Sequence, residues 1–252
     1  MPTPNALTYN AYVTEIANLT VAQTQTVNSV VQGVDATFNA MFPGILNYAE
    51  NRIQRDLQLE QAVVPVSYTL NSGSKTVSVP IGDLLSIETV TVNNIPVLPT
   101  SAEYLQNVYT NSGTQLGPPE VFAIQGGDSV TYGAVSMSIQ FGPWADQNYT
   151  VVMRGPTRMT SLYTYANQSQ ANVTKTFIST MLPDLLIQAS MVYVSEYQRN
   201  FGATSNDPQM GFGYEQAYQA LLQSAHVDEA RRKFESGGWT SHAPTPLATS
   251  GR

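Results

Sequence analysis

The sequence predicts an α+β fold, in which N-terminal and C-terminal helices form a helical bundle with an inserted antiparallel β-sandwich or partly open barrel. Apolar residues recur at helical spacing near both ends of the chain. Between them, residues 63–154 carry short alternating or β-branched runs separated by turn residues. The expected domains are therefore a helical domain (1–60 and 160–236), an inserted β domain (61–159) and an extended C-terminal tail (237–252).

The first helix is expected over residues 8–20, with Thr8 as its N-cap. One face of this helix carries Tyr12, Ile16 and Leu19. Residues 20–34 are rich in Thr, Gln and Val but lack a clear period. We therefore expect a loop between the first helix and the second.

A second helix is expected to begin at Pro43, because proline suits the first helical turn, where its missing N–H would have no partner. Its apolar face is formed by Leu46, Ala49, Ile53 and Leu57. Arg52 and Asp56 are four residues apart and predict a weak ion pair. We expect the helix to end near Leu59.

Residues 63–154 predict about seven short strands, a spacing that favours a sandwich or a partly closed barrel. The runs are "VVPVSYTL", "KTVSVP", "IETVTVNNIPV", "EVFAIQG", "SVTYG", "SMSIQFG" and "YTVVMRG". The expected turns are Asn71-Ser72-Gly73, Asn93-Asn94, Gly126-Gly127-Asp128 and Phe141-Gly142-Pro143. A short helix is expected at residues 101–109, which open with the Ser-x-Glu pattern of a helix start.

The C-terminal part predicts two helices followed by a tail. The first begins around Leu182-Pro183-Asp184 and ends near Asn200-Phe201-Gly202, and the second begins at Asp207-Pro208. The apolar face of the second is formed by Tyr214, Ala217, Leu221 and Ala225. Gly237-Gly238 ends it, and the tail that follows is rich in Gly, Pro, Ser and Thr and has no period.

The composition excludes several classes of function. Only 12% of the residues are charged and the net charge is −7, so the chain lacks the Lys and Arg with which a general nucleic-acid binder neutralises phosphates. Cysteine is absent and only two histidines occur, which leaves little for a thiolate nucleophile, a zinc site or a Ser-His-Asp triad. We expect no catalytic residue, no metal site and no cofactor.

Other sequence features do not indicate a catalytic or binding site either. Phosphate-binding glycine motifs are missing, and the adjacent acids Asp228 and Glu229 are interpreted as part of a solvated helix face. His226 is expected on the same helix surface, and His242 lies in the tail. No apolar run approaches the ~20 residues that span a bilayer, and the N-terminus lacks a signal-peptide pattern. A soluble intracellular protein is therefore expected.

The predicted β region differs in charge from the C-terminus. Between residues 61 and 153 the single base is Lys75, so the net charge is 1 − 6 = −5. The acids of this region are Asp83, Glu88, Glu103, Glu120, Asp128 and Asp146. Three bases instead cluster at 231–233. The contrast is either ordinary surface variation or the mark of an acidic part and a basic end that meet a partner.

Several segments follow one another in an order typical of one protein family. They are "LTYNAYVTEIANL", "FPGILNYAENRIQRDLQL", "DLLSIETVTVNNIPVLPTSAEYL", "PEVFAIQGG", "YTVVMRGPTRMTSL", "LPDLLIQASMVYVSEYQRN" and the helix from Asp207 to Glu235. The matching N-terminal positions are Leu7, Thr8, Tyr9, Ile45, Ala49, Glu50, Arg52, Ile53, Arg55, Asp56 and Leu57. The series resembles the head-to-tail adaptor (head-completion) proteins of tailed bacteriophages, especially the short-tailed type. The insert at 20–34 departs from the family pattern.

The resemblance implies a structural virion protein that has no substrate and is not an enzyme. Family members form a dodecameric ring beneath the portal, extend the DNA channel and carry the tail nozzle and fibres. The expected partners are further copies of the chain, the portal protein, nozzle and fibre proteins, and double-stranded DNA that passes without sequence-specific binding. No membrane partner is expected. The expected location is the head–tail junction of the virion, after synthesis in the host cytoplasm, and the six acids would line the channel or the outer surface.

We expect the portal contact at the end of the last helix and in the tail. The candidate residues are Arg231, Arg232, Lys233, Phe234, Trp239, Pro244, Pro246, Leu247 and Arg252. Trp239 is the expected anchor, because it follows a Gly-Gly pair and aromatic anchors dominate many interfaces. The alternative is a flexible terminus with an incidental tryptophan.

Two other functions compete with the adaptor. The chain contains 14 tyrosines, which suggests a carbohydrate-binding or fibre-associated β module of a phage tail. In that hypothesis Tyr68, Tyr132 or Trp144 would stack on sugars. An unusual hydrolase is the third hypothesis, which the missing nucleophile and metal motifs disfavour.

Overall fold

The computed structural model describes residues 6–80, 83–110, 115–125, 136–167, 169–200 and 208–236. These residues form an α+β fold with helices at both ends of the chain and largely antiparallel sheets between them, which confirms the predicted fold class. None of the sheets formed by these residues closes into a barrel. The chain divides into a helical unit, Met1–Glu60 with Ser161–Arg252, and a β unit, Gln61–Thr160.

Helices supply most of the first unit, and strands supply most of the second. The helices are α1 (Tyr9–Leu19), α2 (Ala36–Asp56), α3 (Ala102–Val108), α4 (Phe177–Met181), α5 (Pro183–Asn200) and α6 (Pro208–Ser236). The strands of the helical unit are β1 (Thr24–Val27) and β2 (Val30–Gly33). The strands of the β unit are β3 (Val63–Leu70), β4 (Thr76–Pro80), β5 (Thr89–Val92), β6 (Ile95–Pro96), β7 (Leu98–Pro99), β8 (Leu116–Gly117), β9 (Val121–Gln125), β10 (Ser136–Gly142), β11 (Trp144–Ala145) and β12 (Tyr149–Pro156).

Helix α1 forms where the sequence predicts it. The hydroxyl of its N-cap, Thr8, accepts a hydrogen bond from the N–H of Ala11 at 3.3 Å. Tyr12 and Ile16 are fully buried, and the Tyr12 hydroxyl lies 2.8 Å from the hydroxyl of Ser190 on α5. Tyr12 and Ile16 therefore pack into the core, and Tyr12 ties the first helix to α5. The third residue of the predicted face, Leu19, is 42% exposed, so the prediction is wrong there.

Residues 20–34 form a β-hairpin, so the predicted loop is wrong. The last residue of β1, Val27, pairs with the first residue of β2, Val30. The two turn residues between them, Asn28 and Ser29, have φ values of 49° and 65°, the backbone that a tight hairpin turn requires. The sequence hides this strand because all four residues of β1 are exposed, and a strand without a buried face shows no apolar alternation.

The buried side chain of Asn10 fixes the hairpin on α1. Its amide nitrogen donates to the carbonyl of Ser29 at 2.8 Å and to the Asn172 side-chain oxygen at 2.5 Å. Its amide oxygen accepts the N–H of Val31 at 2.9 Å. One amide thus satisfies backbone groups of the hairpin turn and of β2, and it also binds the loop before α4.

Helix α2 begins at Ala36, seven residues before the predicted start at Pro43. Asp35 is its N-cap, and the carboxylate accepts the N–H of Thr37 at 2.8 Å. A proline inside a helix costs about 3 kcal/mol. The buried side chains on both sides of Pro43 offset this cost, and they are Phe42, Ile45, Leu46, Ala49 and Ile53. The helix ends at Asp56, slightly before the predicted end.

Helices α5 and α6 begin at the predicted prolines, Pro183 and Pro208. On α5, Leu185, Ala189 and Val192 are buried. On α6 the buried face is turned by about one residue from the prediction, and its members are Tyr218, Leu222, Ala225 and Glu229. The predicted helix-ending residues 201–202 and 237–238 lie outside the described residues.

The β unit is a sandwich of two four-stranded sheets. One sheet has the strand order β4-β10-β9-β7, and the other has the order β3-β12-β5-β6. Their pairings are antiparallel except for β7 with β9, and a separate parallel pair joins β8 to β11. The buried side chains of both sheets form one core cluster, which includes Leu70, Val79, Phe122, Ile139, Phe141, Val151 and Met153.

Most of the predicted strands and turns of the β unit are present. Strands β3, β4, β5, β9, β10 and β12 coincide with predicted runs. The turn at Asn93 and Asn94 has φ values of 47° and 66°, and the hydroxyl of Ser101 caps α3 by accepting the N–H of Tyr104 at 3.2 Å. The run at 129–133 and the turn at 126–128 lie outside the described residues.

The Asn10 contacts predict a measurable loss of stability. Asn10→Ala leaves the Val31 N–H without its acceptor and removes one of the two donors to the Ser29 carbonyl, which should lower the free energy of unfolding by about 1–3 kcal/mol. Asn18→Ala, at an exposed position of the same helix, is the matched control and should change it by less than about 0.5 kcal/mol. Urea unfolding of both variants checks this. Equal losses in the two would show that Asn10 does not fix the hairpin.

Candidate functional site

A polar cluster between α2 and α6 positions the helix that carries the predicted basic end. The Arg52 guanidinium donates to the Glu215 carboxylate at 2.6 Å and to the Tyr48 hydroxyl at 3.3 Å. It also stacks over the ring of Tyr218, 4.1 Å from the ring centroid. The Tyr218 hydroxyl donates to Asp56 at 2.7 Å. Two neighbouring turns of α2 thus hold the first half of α6.

The electrostatics of the cluster favour its charged form. Burial opposes the charge of Arg52, but the hydrogen bond and the attraction from Glu215 outweigh burial and raise the pKa of the guanidinium. The hydrogen bond from Arg52 lowers the pKa of Glu215. Burial and the hydrogen bond to Asp56 raise the pKa of the Tyr218 phenol. The pair is therefore ionised and the phenol neutral at physiological pH.

Part of the predicted basic end of α6 makes contacts within the chain. Arg232 donates to the carboxylate of Glu229, and its guanidinium lies 5.6 Å from the ring centroid of Phe177. Glu229 is only 5% exposed, and it also accepts the N–H of Glu60 at 3.4 Å. The interpretation of Asp228 and Glu229 as a solvated face is thus wrong for Glu229, because burial requires a cationic partner and Arg232 supplies it.

Other residues of the basic end face outward. The Arg231 side chain is 73% exposed and makes a surface ion pair with Asp228 at 3.5 Å. Phe234 is 63% exposed, and Lys233 is half-buried. The remaining portal-contact candidates are in the tail, outside the described residues, and they are Trp239, Pro244, Pro246, Leu247 and Arg252.

The acids of the β unit are exposed and dispersed along the chain. Those within the described residues are Asp83, Glu88, Glu103, Glu120 and Asp146, whereas Asp128 lies outside them. Asp83 accepts the Tyr68 hydroxyl at 3.0 Å, and Asp146 accepts the Tyr149 hydroxyl at 2.6 Å. Within the part of the chain that the structure describes, no three His, Cys, Asp or Glu residues are grouped so as to hold a metal ion.

The net charge is similar in the two units. Residues 61–160 contain three bases and six acids, for a net charge of 3 − 6 = −3, because Arg154 and Arg158 belong to this unit. The helical unit contains eight bases and twelve acids, for 8 − 12 = −4. The larger difference in net charge between residues 61–153 and the C-terminus therefore arises because that range ends just before Arg154. Both units carry a net negative charge.

Glu50 is a buried carboxylate that sequence reasoning does not identify as functional. It is 5% exposed and accepts the N–H of Leu162 at 2.8 Å, at the point where the chain returns from the β unit. Burial raises its pKa, while the bonds from the Leu162 N–H and the Ser161 hydroxyl oppose this shift. In the sequence, Glu50 lies four residues after Leu46 and three before Ile53, which places it on the apolar face of the helix. This position indicates that its side chain is buried.

The aromatic candidates for sugar stacking are engaged inside the β unit. Tyr68 is half-buried and bonded to Asp83. The indole N–H of Trp144 donates to the carbonyl of Tyr109 at 3.1 Å, and the ammonium of Lys75 lies 5.0 Å from the Trp144 ring centroid. Tyr132 lies outside the described residues. The described contacts give Tyr68 and Trp144 structural roles.

Comparisons with known proteins identify one family. A family model described as SU10 adaptor protein matches residues 7–243. This range contains every described helix and strand, from α1 to α6, and therefore both the helical unit and the β unit. A comparison with curated proteins finds no match. Across the described residues, no helix is long and apolar enough to cross a membrane.

The environment of Glu50 predicts a pH-dependent difference between wild type and a neutral variant. Since burial raises the pKa of the folded carboxyl, the unfolded chain loses this proton first as the pH rises. Wild-type stability should therefore fall relative to Glu50→Gln as the pH rises through and above the ordinary range of a glutamate. The amide oxygen that this substitution introduces can still accept the Leu162 N–H, so Glu50→Gln should be the more stable protein at neutral pH.

A second substitution at the same position separates charge from hydrogen bonding. Glu50→Ala leaves the buried Leu162 N–H without an acceptor and should lose about 1–3 kcal/mol relative to Glu50→Gln at every pH. Urea unfolding of the three proteins between pH 4 and pH 8 measures both effects. A stability difference between wild type and Glu50→Gln that does not vary with pH would contradict this account.

Proposed function

The chain belongs to the SU10 adaptor protein family, and we propose that it forms a ring that joins the portal of a phage head to the tail. It is a structural bacteriophage protein and a component of the virion. In the proposed ring, copies dock under the portal, extend the DNA channel and provide the platform for the tail nozzle and fibres. We propose twelve copies, made in the host cytoplasm and located at the head–tail junction.

The family match over residues 7–243 is the observation that carries this proposal. It covers helices and strands of both units in one continuous range, so the whole architecture is that of an adaptor protein. We propose that the chain acts by shape and docking and catalyses no reaction. The engaged contacts of Tyr68 and Trp144 give the sugar-binding alternative no specific support.

Ring closure is compatible with the surface of this chain. A ring of identical copies needs two different faces that meet by rotation. Only 12% of the residues are charged, and exposed Thr, Asn and Gln side chains offer hydrogen bonds to a neighbouring copy at little desolvation cost.

The portal contact is proposed at the end of α6 and in the tail. Arg231 and Phe234 are exposed and carry the contact of the helix, together with Lys233. Arg232 stabilises this end of the helix, because it pairs with the buried Glu229. Trp239 is the proposed anchor of the tail segment. The other proposed tail contacts are Pro244, Pro246, Leu247 and Arg252.

Passage of DNA is favoured by the net negative charge. Each copy carries a net charge of −7, and a ring multiplies this charge around the channel, so double-stranded DNA slides past without binding. The acids proposed for the channel or the outer surface are Asp83, Glu88, Glu103, Glu120, Asp128 and Asp146. We assign the contacts with nozzle and fibre proteins to the β unit.

Deleting residues 237–252 tests the proposed portal contact. The truncated chain should keep the circular dichroism spectrum and melting temperature of the full chain, since the described helices end at Ser236. It should fail to co-sediment with the purified portal of its own phage. Arg231→Glu in the full chain should weaken portal binding by about tenfold, equivalent to about 1.4 kcal/mol.

Arg158→Glu supplies the matched control. Arg158 is an exposed base of the β unit, so its reversal changes the net charge as much as Arg231→Glu but leaves α6 intact. Portal binding by this variant should equal that of wild type. Undiminished binding by the truncated chain would refute the tail contact.

A further inference from the structure

Helix α6 has an exposed face without charge. The residues of this face are Phe212, Gln216, Ala220, Gln223 and Val227. Their spacing of four, four, three and four places them on one stripe of the helix. A solvent-facing helix surface is normally rich in charged residues. Residues 216–227 contain no Asp, Glu, Lys or Arg, so this stripe has the composition of a contact surface.

The stripe lies opposite the face of α6 that packs into the helical unit. Phe212 is 64% exposed and Val227 is 51% exposed, whereas Tyr218 and Leu222 face the core. Within the described part of the chain, the side-chain amides of Gln216 and Gln223 bond to no other residue. Two amides, each able to donate and to accept, are thus flanked by apolar side chains.

The free edge of β1 is a second uncharged face. No charged residue occurs between Ile16 and Val34. Because Val27 faces Val30 across the turn, hydrogen-bonded positions alternate along the hairpin, and the N–H and C=O groups of Thr24 and Thr26 point away from β2. Edge strands are normally protected by lysine, proline or a bulge, and β1 has none of these.

The β1 edge is fixed in position by contacts within the chain. The Asn10 amide fixes the hairpin turn and β2. At the base of the hairpin, Val21 has φ 55°, which is strained for a β-branched residue, and its side chain is 91% exposed. Beside it lies a groove of about 370 Å³. The groove is lined by Thr20, Ala22, Gln23, Val34, Asp35 and Phe38.

The two uncharged faces lie at opposite ends of α2. The Phe38 ring packs against Gly33 of the hairpin, near the start of the helix. Arg52 binds Glu215 of α6 near its end. Fourteen residues of helix separate these contacts, a distance of about 21 Å. A head-to-tail ring requires two different faces at separate places on each copy, and this arrangement supplies them.

We propose that the outer stripe of α6 in one copy docks on the β1 edge of the next copy. The amides of Gln216 and Gln223 hydrogen-bond to the outward backbone groups of Thr24 and Thr26. Phe212 covers the exposed Val21 and the groove beside it. This contact rests on the ring of the proposed function, and it assigns the residues through which the copies join.

The size of the contact sets its strength. From Phe212 to Val227 the stripe is about 22 Å long and one helix, about 10 Å, wide. A stable interface buries roughly 800 Å² on each partner, which is more than this strip can offer. Neighbouring copies should therefore associate weakly in solution and close into a ring when the portal holds them together.

Cysteine cross-linking tests the contact directly, because the chain contains no cysteine of its own. The variant with both Val21→Cys and Phe212→Cys, the two positions that face each other in the proposed contact, is assembled on the purified portal, oxidised, and separated without reducing agent. We expect a covalent ladder that rises to the full ring, since each copy then links to both neighbours. Each single variant should give no linked product. Replacing Val21→Cys by Ile95→Cys, at a 67% exposed position of the β unit, should also give none.

A second measurement uses charge instead of cysteine. Ala220→Arg places a charge on the stripe and should weaken assembly on the portal by tenfold or more. Ser224→Arg places the same charge on the flank of the same helix and should leave assembly unchanged. Both positions are exposed, so both variants should keep the wild-type melting temperature.

The possible outcomes distinguish a wrong assignment of this contact from the absence of a ring. If wild type assembles on the portal but the double-cysteine variant gives no ladder, the contact is wrong and the ring stands. Dimers without longer products would show a two-fold pair and also overturn it. If wild type does not assemble on the portal at all, the proposed function fails, and this contact fails with it.

Discussion

The helical unit depends on polar contacts made by the last two turns of α2. This unit is built from two chain segments, 1–60 and 161–252, that must meet again after the β unit has been completed. Glu50 accepts the N–H of Leu162 where the second segment begins, and Arg52 pairs with Glu215 on α6. A buried carboxylate and a half-buried ion pair are costly unless both partners are in place, so they define one way of joining the segments.

The same contacts determine what α6 can offer to other molecules. The Arg52 cluster turns Tyr218 inward and thereby directs the uncharged stripe outward. At the other end, Glu229 retains Arg232 within the chain, while Arg231 and Phe234 stay exposed. In the proposed ring, the chain must bind its own copies and other virion proteins without disturbing its fold. Placing the internal charges on one side of α6 and the contact residues on the other meets that requirement.

Local signals in the sequence predict much of the fold. The Thr8 cap, the prolines at Pro183 and Pro208, and the alternating runs of the β unit all fall where helices and strands begin. The hairpin at 20–34 could not be predicted from periodicity, because β1 buries none of its residues. The early start of α2 could not be predicted from Pro43, since packing offsets the cost of an internal proline.

Charge pairing depends on tertiary contacts, so the sequence predicts it less well. The Arg52–Asp56 pair follows from spacing, but the stronger partner of Arg52 is Glu215, which is far away in sequence. Glu229 is expected in solvent because its neighbours are polar, but it is buried and accepts the N–H of Glu60, which is far away in sequence. The proposed contact surfaces likewise become visible only once exposure is known, since Gln and Ala on a helix are common in sequence.

The central claim is that this chain works by docking a fixed number of copies on the portal. Native mass spectrometry of the portal mixed with excess full-length chain tests it most directly. We expect one dominant particle, heavier than the portal by a fixed whole-number multiple of the 27.4 kDa chain. A portal of unchanged mass, or a continuous spread of bound copies without a preferred number, would contradict it.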